Sequence, residues 1–252
     1  MQVMQDLTGR RAVVTGAGRG LGYVIAHRLA QSGASITAID LIGSLTGMPE
    51  QWARVPIDLT ASDAEKKLAE VAGVHEVTDI LVANAGLVPP WRSVDALVRT
   101  EWDKVMTLNV WAVAQTLGAF APFLARSDHA SVIVMASINS FSAQPKQMLY
   151  TASKHAVIGV MRAAAMDLGP QGIRVNALAP GPIATDAMLS RLEARHSDGG
   201  PEPKIALDQL ASNAALKRLA TDNDVANAAY FLASDASAGI TGSIIPVEAG
   251  LS

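Results

Sequence analysis

The chain contains no cysteine, which excludes a disulfide framework and thiolate chemistry. Neither sign of charge is in large excess: 20 Lys and Arg stand against 23 Asp and Glu, for a formal net charge of −3. Nor does any Lys/Arg cluster with interleaved aromatics form a phosphate-tracking surface, so nucleic acid is not an expected partner. The polar start MQVMQDLTGRR lacks the apolar core of a signal peptide. The most membrane-like stretch, Val110 to Ala125, is broken by Gln115 and Pro122 and is shorter than the ~20 residues of a spanning helix. A buried helix explains that stretch better, and a cytoplasmic protein with no membrane partner is expected.

What is present is apolar residue in abundance, half of 252, enough for one large α/β domain or two small ones. Seven short runs read as strands: RRAVVTG, SITAID, ARVPID, DILVANAG, SVIVMAS, RVNALAPG and SIIPVEAG. Helical patterns lie between them at Gly20 to Ser32, Ser62 to Ala72, Glu101 to Arg126, Tyr150 to Leu168 and Asp222 to Ser234. Strands this uniformly apolar require cover on both faces. Right-handed crossovers then give a doubly wound parallel sheet, a Rossmann-like α/β fold of about seven strands. No repeat or linker divides the chain, so one domain over residues 1–252 is expected. Two stretches look irregular. Between Asp40 and Asp58 the crossover LIGSLTGMPEQWARVPI is short and Gly/Pro-interrupted, so its helix must be brief or absent. Residues 182–213 contain HSDGGPEP and are expected to form a lid-like surface segment.

The run VVTGAGRGLG sets Gly16, Gly18, Gly20 and Gly22 between the first strand and the first helix. Backbone amides at a helix N-terminus there face a pyrophosphate, and glycine allows its close approach. Eighteen residues beyond Gly22 the second strand ends in Asp40. A carboxylate at that point accepts hydrogen bonds from both ribose hydroxyls of an adenosine and repels a 2'-phosphate, which favours NAD over NADP. Arg19, inside the loop, is either a partner for such a phosphate or a solvated surface cation.

In YTASK, Tyr150 stands one helical turn before Lys154, so phenol and ammonium project from the same face. The ordinary phenol pKa of ~10 is too high for free proton exchange at neutral pH, and a nearby ammonium favours phenolate. Ser137 ends the strand SVIVMAS thirteen residues earlier, with Ser140 and Ser142 close by. Asn109 lies in the apolar helical run TEWDKVMTLNVWAVAQ, which has little other use for a buried amide unless it is a satisfied core residue.

The Gly-x-x-x-Gly-x-Gly spacing of Gly16, Gly20 and Gly22, followed by ANAG, Ser137 and YTASK, resembles the classical short-chain dehydrogenase/reductase family over essentially the whole chain. By that resemblance Tyr150 is the general acid for ketone reduction and the base for alcohol oxidation, and Lys154 also holds the nicotinamide ribose. Ser137 donates a hydrogen bond to the substrate oxygen, and Asn109 holds a water linking the lysine to solvent. The implied dinucleotide contacts are Gly16, Arg19, Gly20, Leu21 and Gly22 in the loop, Asp40 at the ribose, and Asp58 and Leu59 at the adenine. Asn84, Ala85 and Gly86 would pass beneath the adenosine ribose, and Pro180, Gly181, Ile183 and Thr185 would meet the nicotinamide amide. The chain departs from the family pattern with Ala83 before Asn84 and with VEAGLS at its end.

The expected activity is NAD-dependent hydride transfer between nicotinamide and a secondary alcohol or ketone, with no metal. Leu87, Val88, Pro89, Pro90, Trp91, Ile138, Phe141 and Met148 would ring the nicotinamide, closed over by Pro182, Met188, Leu189 and Leu192. Arg92 is the one cation in this set and is read as a loop residue, so a compact, uncharged, alicyclic or aromatic substrate is expected, oriented by Asn139 or Gln144. A polyol, sugar or 3-hydroxyacyl substrate is the alternative within the family. A sugar-nucleotide epimerase or dehydratase fits the length less well, and a non-catalytic dinucleotide sensor would not need the Asn109, Ser137, Tyr150 and Lys154 set. Apolar residues on more than one face of the helices around VWAVAQTLGAFAPF and AVIGVMRAAAM lead us to expect a homotetramer.

Overall fold

Each apolar run becomes a parallel strand in the computed structural model of the chain, which describes residues 6–74, 76–197 and 199–251. The strands are β1 (Arg11–Thr15), β2 (Ser35–Asp40), β3 (Ala53–Pro56), β4 (Ile80–Ala83), β5 (Ser131–Met135), β6 (Arg174–Pro180) and β7 (Ile244–Val247), in the sheet order β3-β2-β1-β4-β5-β6-β7. Met1 to Gln5 of the polar start and Asp198 of HSDGGPEP lie outside the described residues. The inner strands β4 and β5 are buried along their whole length, whereas β3 and β7 have no fully buried residue. An edge strand has only one neighbour, so the uniform burial expected of all seven holds only at the centre.

The helices are α1 (Gly20–Gln31), α2 (Ala64–Val74), α3 (Arg99–Met106), α4 (Ala112–Leu124), α5 (Met148–Leu168), α6 (Asp186–Ser197), α7 (Pro203–Asn213) and α8 (Asp222–Ala233). On one face of the sheet α1 and α8 bury Ile25, Leu29, Val225 and Leu232; on the other, α2, α4 and α5 bury Leu68, Phe120, Val157 and Met161. Full burial of a side chain such as Phe120 stabilises the fold by about 2–3 kcal/mol relative to leaving it in water. Among the described residues no helix is long and apolar enough to cross a membrane.

Sheet order determines where a ligand enters. From β1 the chain winds outward through β2 to β3, and from β4 it winds the other way, so a crevice opens beyond the carboxyl ends of β1 and β4. Between Asp40 and β3 the crossover holds a 3₁₀ turn, Ile42–Leu45, and no α-helix, as its glycines and Pro49 require. The 182–213 segment differs from the irregular lid expected of it. It is mostly α6 and α7, packed on each other, and HSDGGPEP is only their junction. Two signals mark these helices: the Thr185 hydroxyl accepts from the Met188 amide at 3.3 Å, and Pro203 opens α7, where its missing N–H is no loss. The helical run from Glu101 is also not uniform, because residues Thr107–Trp111 form a π-turn between α3 and α4 that contains Asn109.

Candidate active site

The glycine loop follows β1, and its shape depends on missing side chains. A Cβ on Gly22 would lie 2.1 Å from the Gly16 carbonyl oxygen and 2.4 Å from Asn84 Nδ2; on Gly16, where φ is +66°, it would lie 2.8 Å from Ala85 Cα. Asn84 explains this crowding. Its Nδ2 donates to the Thr15 and Gly16 carbonyls at 3.0 and 3.1 Å, while the Thr15 hydroxyl accepts from the Asn84 and Ala85 amides, each at 3.1 Å. The Asn84 amide therefore ties β4 to the loop, and Thr15, which sequence reasoning missed, completes the tie. Gly20 and Arg19 are exposed at the start of α1 and Leu21 is half-buried behind them. The turn fits a pyrophosphate at the start of α1, where Arg19, Gly20 and Leu21 begin the helix, whereas the amides of Gly16, Ala17 and Gly18 are taken by the Ile39 carbonyl and Asp40.

Asp40, at the end of β2, has both carboxylate oxygens engaged: Oδ2 accepts from the Gly18 amide at 2.8 Å and Oδ1 from the Leu41 amide at 2.7 Å. A side chain on Gly18 would collide with Ser44 and approach Asp40 Oδ2 to 2.9 Å. Asp58 accepts from the Thr60 hydroxyl and amide, which hold its carboxyl below the usual range. The Leu59 side chain is buried in the core, and its carbonyl accepts from Gln115 Nε2 at 2.9 Å. At the end of β6, Pro180 is buried, Gly181 donates its amide to Val247, the Ile183 side chain enters the core, and Thr185 caps α6.

Tyr150 and Lys154 stand on α5 beside the end of β5. Lys154 is buried, its ammonium donating to the Met135 carbonyl at 2.7 Å and lying 5.8 Å from the centre of the Tyr150 ring. Burial pushes the ammonium down to about 8. The sequence suggests that Lys154 draws the phenol pKa down, but here burial outweighs everything else and pushes Tyr150 above the usual phenol range. The Ser137 hydroxyl and the Arg191 guanidinium pull the other way, both favouring phenolate. Ser137 is buried at the end of β5 and its hydroxyl also accepts from the Asn139 amide at 3.2 Å; Ser140 accepts from the Ser137 amide and so serves the turn.

Asn109 is 1% exposed and fully engaged. Its Oδ1 accepts from the Leu87 amide at 2.8 Å, and its Nδ2 donates to the Leu87 carbonyl at 2.9 Å and to Ser153 Oγ at 3.1 Å. Ser153 in turn donates to the Tyr150 carbonyl at 2.8 Å. The π-turn thus clamps the loop after β4 to the base of Tyr150, through a serine that lies within YTASK itself. Gly86 leaves room for this: a Cβ there would stand 3.1 Å from Asn109 Oδ1.

Known proteins resemble this chain over nearly its whole length. A family model described as enoyl-(acyl carrier protein) reductase matches residues 16–252. Dehydrogenase/reductase SDR family member 6 of Danio rerio is 31% identical over 252 residues, covering 98% of this chain and 99% of the relative. The chain belongs to the classical short-chain dehydrogenase/reductase family. Carveol dehydrogenase from Mycobacterium avium, in complex with NAD, is 29% identical with a TM-score of 0.89, over 98% of this chain and 99% of that one. A structure described as an NAD(P)-dependent gluconate 5-dehydrogenase from Beutenbergia cavernae, holding NADP at low occupancy, is 30% identical with a TM-score of 0.87, over 98% of each chain. This short-chain dehydrogenase/reductase is an oxidoreductase of the alcohol dehydrogenase type, and a nicotinamide dinucleotide is its cofactor.

The substrate side of this dehydrogenase/reductase is less apolar than expected. Pro89, Pro90, Trp91, Leu97, Gln147 and Leu149 line a cleft with Tyr150, and Arg92 and Lys146 stand at it too. Leu87, Val88, Ile138, Pro182, Met188 and Leu189 are half-buried, Leu192 is buried, and Phe141 and Met148 are exposed. Asn139 is less available than its position suggests, since its Nδ2 donates to Gln147 Oε1 at 2.9 Å and to Thr151 Oγ1 at 3.2 Å. Gln144 is exposed, and Gln147 occupies the cleft instead. Arg92 is more than a solvated loop residue: it forms a bidentate pair with Glu101 at 2.7 and 2.8 Å. Nor is it the only arginine near the site, because Arg191 of α6 acts on Tyr150. Nothing in the local sequence DAMLSRLEARHS marked Arg191, since the helix that aims it went unrecognised.

Proposed function

We propose that the protein transfers hydride between NAD and the carbinol or carbonyl carbon of a secondary alcohol or ketone, with the proton passing through Tyr150. The observation that carries this reading is the joint position of Ser137, Tyr150 and Lys154 at the end of β5, next to the glycine-lined crevice. The dinucleotide supplies the hydride donor or acceptor. Tyr150 gives its phenolic proton to the ketone oxygen or takes one from the alcohol. Ser137 donates to that oxygen as charge develops. Lys154 offers a buried donor for the nicotinamide ribose, and Asn109 holds the loop and helix that frame it. A non-catalytic sensor would not need a phenol so placed. The test is turnover: the absorbance of reduced nicotinamide is followed with a panel of secondary alcohols and ketones, and no turnover of any of them would end the reading.

NAD is the preferred cofactor in this proposal because Asp40 presents a carboxylate at the end of β2, held there by two backbone amides. A 2'-phosphate would meet that charge. The unmodified protein is expected to bind NADH more tightly than NADPH, and Asp40→Ala to narrow or reverse the preference. Fluorescence titration with both dinucleotides checks this, and tighter NADPH binding by the unmodified protein would mean that Arg19 dominates.

Apolar cleft residues support a substrate with an alicyclic or aromatic body, as the carveol dehydrogenase relative does; a polyol or sugar reading draws on Gln147 and on the gluconate 5-dehydrogenase relative. We place the protein in the cytoplasm. We also propose a homotetramer of two-fold symmetry built on α4 and α5, supported by a surface groove that holds Trp102, Met106, Val110 and Val160 and by Trp111, 57% exposed. Light scattering at micromolar concentration is expected to give four times the chain mass, and a monomeric mass would refute it.

A further inference from the structure

Helix α6 sets Met188, Arg191, Leu192 and Arg195 at spacings of three and four residues, so the four share one face. Leu192 is 2% exposed and Met188 and Arg191 are half-buried, which turns this face inward. The Arg195 guanidinium lies 5.1 Å from the centre of the Trp91 ring, and Trp91 lines the cleft that contains Tyr150. Helix α6 therefore lies against the cleft, and Arg191, one turn before Arg195, is the basic residue of this face that burial reaches.

The partners of Arg191 are poor. Its Nη2 points at the Met188 sulfur, 3.8 Å away, a weak acceptor for a guanidinium with five donors. No carboxylate is within ion-pair distance of it among the described residues, where Arg10, Arg92, Arg99 and Arg218 each have one. A partly desolvated guanidinium without an anion is unfavourable, and burial draws its pKa down, while the neighbouring Tyr150 draws it up. The contrast with Arg92 is direct: that cation is consumed by Glu101, and this one, on the face that α6 turns toward the cleft, has no carboxylate partner among the described residues.

We propose that Arg191 receives a carboxylate of the substrate in a bidentate pair, so that the alcohol or ketone turned over is a hydroxy acid or keto acid. A planar fork of donors matches a carboxylate better than any neutral group. The apolar residues of the cleft then pack the carbon body between the carboxylate and the carbinol carbon at Tyr150. The inference rests on Tyr150 being the proton-transferring group, and it replaces the uncharged substrate that the sequence suggested while no cation but Arg92 was in view.

The experiment measures kcat/KM with NAD for secondary hydroxy acids whose carboxylate lies one, two or three carbons from the carbinol, each beside its methyl ester. The unmodified protein, Arg191→Gln and Arg191→Lys are compared. At least one acid is expected to exceed its ester by about tenfold or more, the size of one charge-assisted contact. Arg191→Gln should abolish that advantage chiefly through KM, lowering kcat/KM for the acid by about tenfold more than for its ester while NADH affinity stays within about twofold, and Arg191→Lys should restore part of the acid-to-ester ratio. If the unmodified protein prefers every ester, or if Arg191→Gln slows acid and ester by the same factor and so keeps their ratio, or weakens NADH binding, the inference is overturned, because Arg191 then serves only Tyr150 or the dinucleotide. Should Arg191→Gln fail to fold, the acid-to-ester ratio of the unmodified protein decides. Turnover of the esters, or of other secondary alcohols or ketones of the panel above, without preference for acids removes only this inference, whereas no turnover of any member of the whole panel removes hydride transfer with it.

Discussion

Tyr150→Phe is expected to lower turnover by about 10²-fold or more while leaving NADH affinity within about twofold, because only the transferable proton is deleted and the ring keeps its packing. The hydroxyl is the one atom lost, and the groups acting on it, Ser137 and Arg191, remain in place. Initial rates with saturating dinucleotide and a fluorescence titration of NADH separate the two effects. The pH dependence gives a further reading. Burial raises the phenol pKa, and alcohol oxidation needs the phenolate, so the oxidation rate of the unmodified protein should climb as pH rises toward that pKa, while ketone reduction declines. The residual rate of the Phe variant should show no such limb. A Phe variant retaining more than half the activity would take Tyr150 out of the reaction.

Gly22→Ala is expected to weaken dinucleotide binding by roughly tenfold or more and to destabilise the fold by about 2 kcal/mol. The methyl group would lie 2.1 Å from the Gly16 carbonyl oxygen and 2.4 Å from Asn84 Nδ2, and neither is the free end of a flexible side chain. The Asn84 amide is held by the Thr15 and Gly16 carbonyls, so relieving the contact means moving the loop or breaking its tie to β4. Either displaces the backbone amides on which a pyrophosphate would sit. Calorimetric titration with NADH and a thermal melt of the same preparation measure both losses. Gly73→Ala is the control: that glycine lies in α2 with nothing within 4 Å of its added Cβ, and alanine should be neutral or stabilising there. Unchanged NADH affinity in Gly22→Ala would show that the loop relaxes without losing its donors.

The legibility of this chain in its sequence varied with the range of the interaction. The five inner strands were readable because a buried parallel strand is apolar along most of its length, the edge strands β3 and β7 only as short β-rich runs between turn residues, and the short crossover after Asp40 because glycine and proline act locally. The Tyr150 and Lys154 pair was readable because one helical turn separates them. Helices α6 and α7 were not, although the Thr185 cap and Pro203 announced them, because the Gly/Pro junction between them dominates the composition of the segment. The tie of Asn84 to Thr15 and Gly16 spans nearly seventy residues of chain and left no local signal.

By itself the sequence determined the fold class, the family and the order of the chemistry-bearing residues, since periodicity, glycine spacing and helical register are properties of neighbouring positions. Tertiary structure decided which of those groups are free to act. Packing engages both amide protons of Asn109 and of Asn139, pairs Arg92 with Glu101, and leaves Arg191 without an acid among the described residues. Desolvation decided the rest: burial raises Tyr150 and lowers Lys154, and the extent of burial is set by residues distant in sequence that meet only when the sheet is closed by its helices.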